Sequence, residues 1–385
     1  MNLIYLFAFI FSSLLLASPH SISQSYNTCV NCHYNAFGGG PLTDYGRAYA
    51  ATVLGQHRFV KSELSDEQLA LISGFLGAKK LPKWFRPHAN YRGIVKESNM
   101  FKVNNKGKFE TWQANAGLTF KFGQYDRFVA TGTVDYDSGS ELGGGKNRRD
   151  YHPITSREYY LSYRFGDSFK MYTGFMNKIF GLNFFAPNLL YRQSMMMGLN
   201  DQTHGMAFHF NNSLVDGGIH LYNGNMNRLK VDRQRGGSFK FQVQTSKNSR
   251  TGVSMMYSNG KKLTLMAVNT HLRMSFDEGN SLLIETGLTQ KLFAEETPLR
   301  NINFYNTFQA RMKLSRGIYV LTGFEFFRED ILKTSDIQIK LTPGLAYYPA
   351  QRLKLTAEVS NYRIISNSSI PPEQWNFLGQ LHLWL

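Results

Sequence analysis

Thr111-Trp112-Gln113-Ala114-Asn115-Ala116-Gly117-Leu118-Thr119-Phe120-Lys121-Phe122 alternates at period two. Trp112, Ala114, Ala116, Leu118, Phe120 and Phe122 fall on one face. Thr111, Gln113, Asn115, Gly117, Thr119 and Lys121 fall on the other. Successive strand side chains point to opposite sides, so this spacing predicts a strand with one apolar face. The pattern recurs. Tyr159, Leu161, Tyr163 and Phe165 alternate with Glu158, Tyr160, Ser162 and Arg164; Leu353, Leu355, Ala357 and Val359 alternate with Lys354, Thr356, Glu358 and Ser360. A soluble sandwich gives the same alternation. A membrane barrel adds two features found here: the segments continue to the last residue, and aromatics gather at segment ends, where girdles meet the interface.

Counting segments between turns such as Phe165-Gly166-Asp167-Ser168, Ser258-Asn259-Gly260 and Asp277-Glu278-Gly279-Asn280 gives about sixteen antiparallel strands of roughly ten to fourteen residues. The composition agrees: 30 Phe, 21 Tyr, 34 Gly and only 11 Pro, at a slightly polar mean hydropathy of −0.32. No stretch after the leader approaches the ~18 apolar residues of a membrane helix. The reading is an all-β transmembrane outer-membrane barrel over residues 85–385. Residues 138–152 and 182–203 read as extracellular loops. Met195-Met196-Met197 in the second suits apolar packing better than soft-metal binding. The terminal Leu381-His382-Leu383-Trp384-Leu385 alternates to the end, with the aromatic one residue early for a barrel's closing strand.

Working back toward the start, residues 1–23 read as a signal peptide, apolar from Leu3 to Leu16 with a small-x-small site at Ser21-Ile22-Ser23. Met1-Asn2 lacks the usual positive charge, which leaves an uncleaved anchor as the alternative. Residues 24–84 form a small, partly helical module. Ser65 with Gln68 makes a capping box for a helix carrying Leu69, Ile72 and Leu76, and Ala48–Leu54 reads as a second helix closed by Gly55. Sixty residues bury little apolar surface alone, so the module requires a cofactor, docking against the barrel, or both.

Cys29-Val30-Asn31-Cys32-His33 is a C-x-x-C-H signature, and its two cysteines are the chain's entire complement. The spacing predicts one covalent haem c, with thioethers at Cys29 and Cys32 and His33 as the proximal iron ligand. A redox dithiol is the competing reading, but no βαβ pattern accompanies it. His57 is the first candidate for the distal ligand, with His88 and Met100 as alternatives and an open sixth site as another. Arg47 and Tyr45 are candidates for the haem propionates, since a guanidinium forks onto a carboxylate; a structural role in the turn is the alternative. The net charge of +16 suits lipid head groups at the rim or a lumen that attracts anions. Nucleic acid is not an expected partner of an exported haem protein.

From Cys29 to His33, then Pro41-Leu42-Thr43-x-Tyr45-Gly46-Arg47 and a short helix, the chain resembles the fused mono-haem cytochrome c–porins of the outer membrane. The motif resemblance covers residues 29–55. It implies a haem module joined to a roughly sixteen-stranded barrel, and electron transfer, with Fe(II) oxidation in the best-known members. Expected partners are outer-membrane lipid, periplasmic electron carriers and a small-molecule or metal-ion donor. An even strand number puts both termini in the periplasm of a Gram-negative cell, with the haem at that mouth or in the lumen. The apolar band is about 25 Å tall, so a haem at the rim cannot serve an external donor unless it sits deep or the donor enters. The competing classes are a porin whose haem module is a plug or redox-sensing gate, and a peroxidase-like enzyme with an open sixth site.

Overall fold

The computed structural model describes residues 28–37, 40–55, 64–75, 81–98, 100, 107–136, 152–182, 184, 189–195, 197, 201–277, 279–293, 300–333, 336–366 and 373–385. The predicted signal peptide, His57, Gly38 and Gly39, Met196 and most of the 138–152 loop lie outside them.

Among the described residues, seventeen strands form one antiparallel sheet. They are β1 (Phe85–Ser98), β2 (Lys108–Phe122), β3 (Phe128–Tyr136), β4 (Ile154–Thr155), β5 (Tyr159–Arg164), β6 (Phe169–Met176), β7 (Thr203–Asn211), β8 (Val215–Tyr222), β9 (Arg235–Ser246), β10 (Ser249–Asn259), β11 (Leu263–Asp277), β12 (Asn280–Phe293), β13 (Arg300–Ser315), β14 (Ile318–Arg328), β15 (Ile337–Ala350), β16 (Leu353–Ile365) and β17 (Gln374–Trp384). β4 and β5 pair with the same edge of β3, so they share one position in the wall. β1 pairs with both β2 and β17, which closes a sixteen-position barrel with no free edge. Closure satisfies every ladder, as a wall facing hydrocarbon requires.

The burial pattern is that of a membrane barrel. Along β10 the apolar Val253, Met255 and Tyr257 face outward and are exposed, while Ser254 and Ser258 face inward and are fully buried. Tyr159 and Leu161 of β5 are likewise outward, and Tyr160 and Ser162 inward. Short turns, such as residues 247–248 and 316–317, gather at one mouth with the start of β1 and the end of β17. The long connections leave from the other. Outward aromatics ring the short-turn mouth: Trp84 stacks on Phe120 (6.1 Å), and Phe165 lies against Phe169 (5.4 Å).

Two expectations change. Trp112 belongs to the inner face, because the β1–β2 register slips between Arg92 and Gly93. That bulge reverses the alternation and brings the ring, 3% exposed, beneath the Arg92 guanidinium. The second concerns the connection after β6: the loop read at residues 182–203 turns into the barrel against β10–β14. Gly181 N–H donates to Ser254 Oγ (3.0 Å), Leu182 N–H to Glu285 (2.5 Å) and Leu190 N–H to Glu325 (2.7 Å). Tyr191 stacks on Tyr305 with centroids 4.1 Å apart. Met195 is buried in this apolar cluster and Met197 packs against it, which makes the methionines packing residues.

The leading segment contains a 3₁₀ turn at Cys29–Asn31, α1 (Asp44–Tyr49) running on as a π turn at Ala50–Leu54, and α2 (Asp66–Leu71). Thr43 caps α1 by accepting from Gly46 N–H. The Ser65/Gln68 capping box forms as expected, but α2 ends at Leu71, shorter than its apolar spacing suggested.

Candidate functional site

The C-x-x-C-H residues share a single tight turn. Cys32 and His33 both donate backbone N–H to Cys29 O, at 3.2 and 2.9 Å, and His33 bridges to Leu42. Thr43 N–H returns to Cys32 O (3.0 Å), which ties the start of α1 to the motif. α1 approaches so closely that a Cβ on Gly46 would overlap the Cys32 carbonyl. Only glycine allows that contact. Both thiols are free. Burial pushes the Cys29 thiol up, against the lowering pull of Arg273 and Lys240. It raises Cys32 to about 11, with Cys29 adding to the effect. Two unbridged thiols and an imidazole on one turn are the donor set that a covalent haem requires, so the residues fit that group.

The motif sits inside the barrel, against the wall formed by its shortest strands. Val30, between the cysteines, packs with Phe37 on the cluster of Ala36, Tyr160, Tyr172 and Ala207. The Tyr172 hydroxyl accepts from Ala36 N–H (3.2 Å) and donates to Tyr34 O (3.3 Å). Phe37 meets His209 edge-on at 5.4 Å, and a Cβ on Gly218 would stand 2.5 Å from its ring.

The helices of the segment lie against the short-turn mouth. Asp44 pairs with Arg86 at 2.6 Å, and Asp66 with Arg316 at 3.0 Å. Arg352 donates to Ile72 O (2.6 Å) and also to Gly74 O, capping the C-terminal end of α2 from the β15–β16 turn. It does so from a left-handed backbone, φ +73°. Leu54 packs beside Tyr319, Tyr348 and Trp384.

Of the expected iron and propionate contacts, Arg47 is buried and its Nη2 donates to Pro87 O at 2.7 Å, at the mouth beside His88. His88 faces inward from β1, 4% exposed, with both ring nitrogens lacking a hydrogen-bond partner among the described residues. Tyr45 is half-exposed. Met100 lies beyond the far end of β1, bonded to Trp375 O. Fourteen residues of strand, about 45 Å of chain, separate it from the mouth where α1 sits. His57 lies outside the described residues.

Sequence reading missed the inner wall beside the motif. Arg250 and Arg273 are opposite each other in register on β10 and β11, with Lys240, His271 and the His209–Asp216 pair (2.8 Å) close by. Asn269, His271, Arg273 and Ser275 alternate with Thr270, Leu272 and Met274, so inward parity was the available signal.

No protein-family model and no curated protein matches the chain. Among solved structures it is similar to the outer-membrane protein OmpT of Vibrio cholerae, at 10% identity and TM-score 0.60, over 78% of this chain and 97% of that one. It is also similar to an anion-selective porin from Comamonas acidovorans (9%, TM-score 0.56, 78% and 99%). The outer-membrane channel DcaP of Acinetobacter baumannii gives 10% identity, TM-score 0.54, over 78% and 97%. At these identities the likeness establishes the porin-type barrel fold.

Proposed function

We propose that this chain is an outer-membrane porin-type barrel whose lumen is closed by its own leading segment, and that this segment carries one covalent haem c as a redox-responsive plug. The observation that carries the reading is the seat of Ala36 and Phe37 on Tyr172 and His209, which brings the C-x-x-C-H turn into the lumen. Short turns and both strand termini at one mouth make that mouth periplasmic. The apolar outer face is matched to lipid.

A covalent haem supplies one-electron exchange. The chain contributes Cys29 and Cys32 as thioether sites, His33 as proximal ligand, and a half-buried setting held by Gly46 and Tyr172. His88 is the distal candidate among the described residues, because it faces inward from β1 and is buried; His57 is the other. The experiment is conductance in planar bilayers under oxidising and reducing conditions, for the full chain and for a form lacking residues 24–84. The full chain should conduct weakly and change with haem oxidation state, and the shortened barrel should be open in both conditions. Equal conductance of the two forms would refute the plug.

A second reading is electron transfer between a small donor entering the lumen, Fe(II) included, and periplasmic carriers. It is favoured by the depth of the motif, which shortens the path to such a donor. Rapid reoxidation or reduction of the haem on mixing with Fe(II), without any change in conductance, would favour this reading over the gate.

A further inference from the structure

The joint between the leading segment and the barrel contains a small cavity. It is lined by Arg47 of α1, Ser73 just after α2, Gln351 and Arg352 of the β15–β16 turn, and Trp384 and Leu385 at the end of β17. It offers about 10 Å³ to the centre of a water-sized body, which is room for one water molecule or one monatomic ion. Three buried polar atoms of the lining lack a hydrogen-bond partner among the described residues: Arg47 Nη1, Arg352 Nε and Gln351 Oε1. Arg47 is 6% exposed, and its Nη2 is committed to Pro87 O at 2.7 Å. Arg352 Nη2 is committed to Ile72 O and Gly74 O. Each guanidinium thus keeps one N–H unspent beside the cavity. Buried donors left this way point to a bound water or ion.

Charge decides between the two. Burial lowers Arg47, and Arg86 and Arg352 add to that effect. Asp44 is the one carboxylate among the described residues that acts on Arg47, and both its oxygens are held by Arg86, at 2.6 and 2.7 Å. None acts on Arg352. A water accepts from both donors but leaves the like charges uncompensated, whereas an anion offsets them and takes charge-assisted hydrogen bonds from each. We propose that Arg47 and Arg352 hold a small monovalent anion, chloride or another halide, which fastens the leading segment to the barrel mouth. Arg47 reaches the ion from the segment and Arg352 from the barrel. Gln351 completes the site, because a half-turn of its amide exchanges an acceptor for a donor. The site needs neither haem nor conductance; it concerns only the seat of α1 and α2 on the mouth.

The test compares the full-length protein in chloride and in gluconate, an anion too large for the cavity. Both salts are held at about 0.15 M, so the Asp44–Arg86 and Asp66–Arg316 pairs are screened alike. Limited proteolysis of residues 64–75 reads the seat. Cleavage should be slower in chloride, by about tenfold where chloride stands at ten times its dissociation constant, and bromide should act as chloride does. Arg47→Gln should be cleaved at one rate in both salts. Gln351→Glu brings a carboxylate to the cavity, and its cleavage in gluconate should be as slow as that of wild type in chloride. It carries the test if Arg47→Gln does not assemble. Crystals grown in bromide should show an anomalous peak between Arg47 and Arg352. Equal cleavage of wild type in the two salts would overturn the proposal, since a water or a carboxylate of the chain itself in the cavity gives that result. A bromide peak without protection, an adventitious ion only, would overturn it too, as would a chloride effect that Arg47→Gln retains. Wild type cleaved in both salts as fast as unfolded chain would remove the seat itself, a failure of the plug rather than of the ion.

Discussion

Two stretches of chain fill the lumen, and they are held by different chemistry. The connection after β6 is bound by buried carboxylates: Glu285 accepts from Leu182 N–H, Asn269 and Tyr305, and Glu325 accepts from Leu190 N–H and Lys340. The leading segment is seated by one tyrosine hydroxyl and an aromatic contact at its tip, and at the mouth by ion pairs and by guanidinium bonds to backbone carbonyls from Arg352 and Arg47. In those pairs the aspartate side chains are 56% and 57% exposed. Hydrogen bonds to buried charge are worth about 1.5–3 kcal/mol each, and exposed ion pairs about 0–1 kcal/mol. On the proposed reading, buried carboxylates at one stretch and half-exposed ion pairs at the other separate a fixed constriction from a removable plug.

The largest effect should come from the constriction. Glu285→Ala leaves Leu182 N–H, Asn269 and Tyr305 without their acceptor and should cost about 3–5 kcal/mol, read by urea unfolding of the folded barrel. The plug contact is weaker. Phe37→Ala should cost its seat about 2 kcal/mol and raise the open fraction in bilayers by roughly 30-fold, while barrel unfolding stays at the wild-type midpoint. Equal effects of both substitutions on unfolding would erase the distinction.

Arg352→Gly sharpens it further. The left-handed turn is relieved by about 1 kcal/mol, while the cap on α2 is lost. Barrel unfolding should therefore hold or rise as limited proteolysis of residues 64–75 becomes faster. The smallest effect concerns Asp44. Burial pushes its carboxyl up, but the hydrogen bond and charge of Arg86 more than reverse this and hold it below 3.8. A depressed folded value contributes stability that is complete above the unfolded value and lost as pH falls through the folded one. Asp44→Asn should thus weaken plug closure by at most about 1 kcal/mol at neutral pH, and the difference from wild type should shrink as pH falls through the lowered folded value of Asp44.

The barrel was legible because alternation of apolar and polar residues is a local signal, repeated along each strand. It failed at Trp112, where one bulged residue reverses the faces. A bulge is set by pairing with Arg92 and Gly93, which the strand's own sequence does not record. The Ser65 capping box and the Cys29–His33 turn were also legible, being contained within four or five residues. The inward course of the connection after β6 was not. Its anchors, Ser254, Glu285, Asn303 and Glu325, lie on strands 70 to 135 residues distant. Arg250 and Arg273 escaped notice for the same reason: each is an ordinary inward polar position until register sets them face to face.

The proposed haem joins the chain at the Cys29–His33 turn inside the barrel. The direct measurement is a pyridine haemochrome spectrum of the folded protein after acid–acetone extraction, beside the Cys29→Ala/Cys32→Ala variant. The prediction is one c-type haem per chain that survives extraction in wild type and is absent from the variant. Wild-type protein that loses its colour on extraction, or has none, would contradict it.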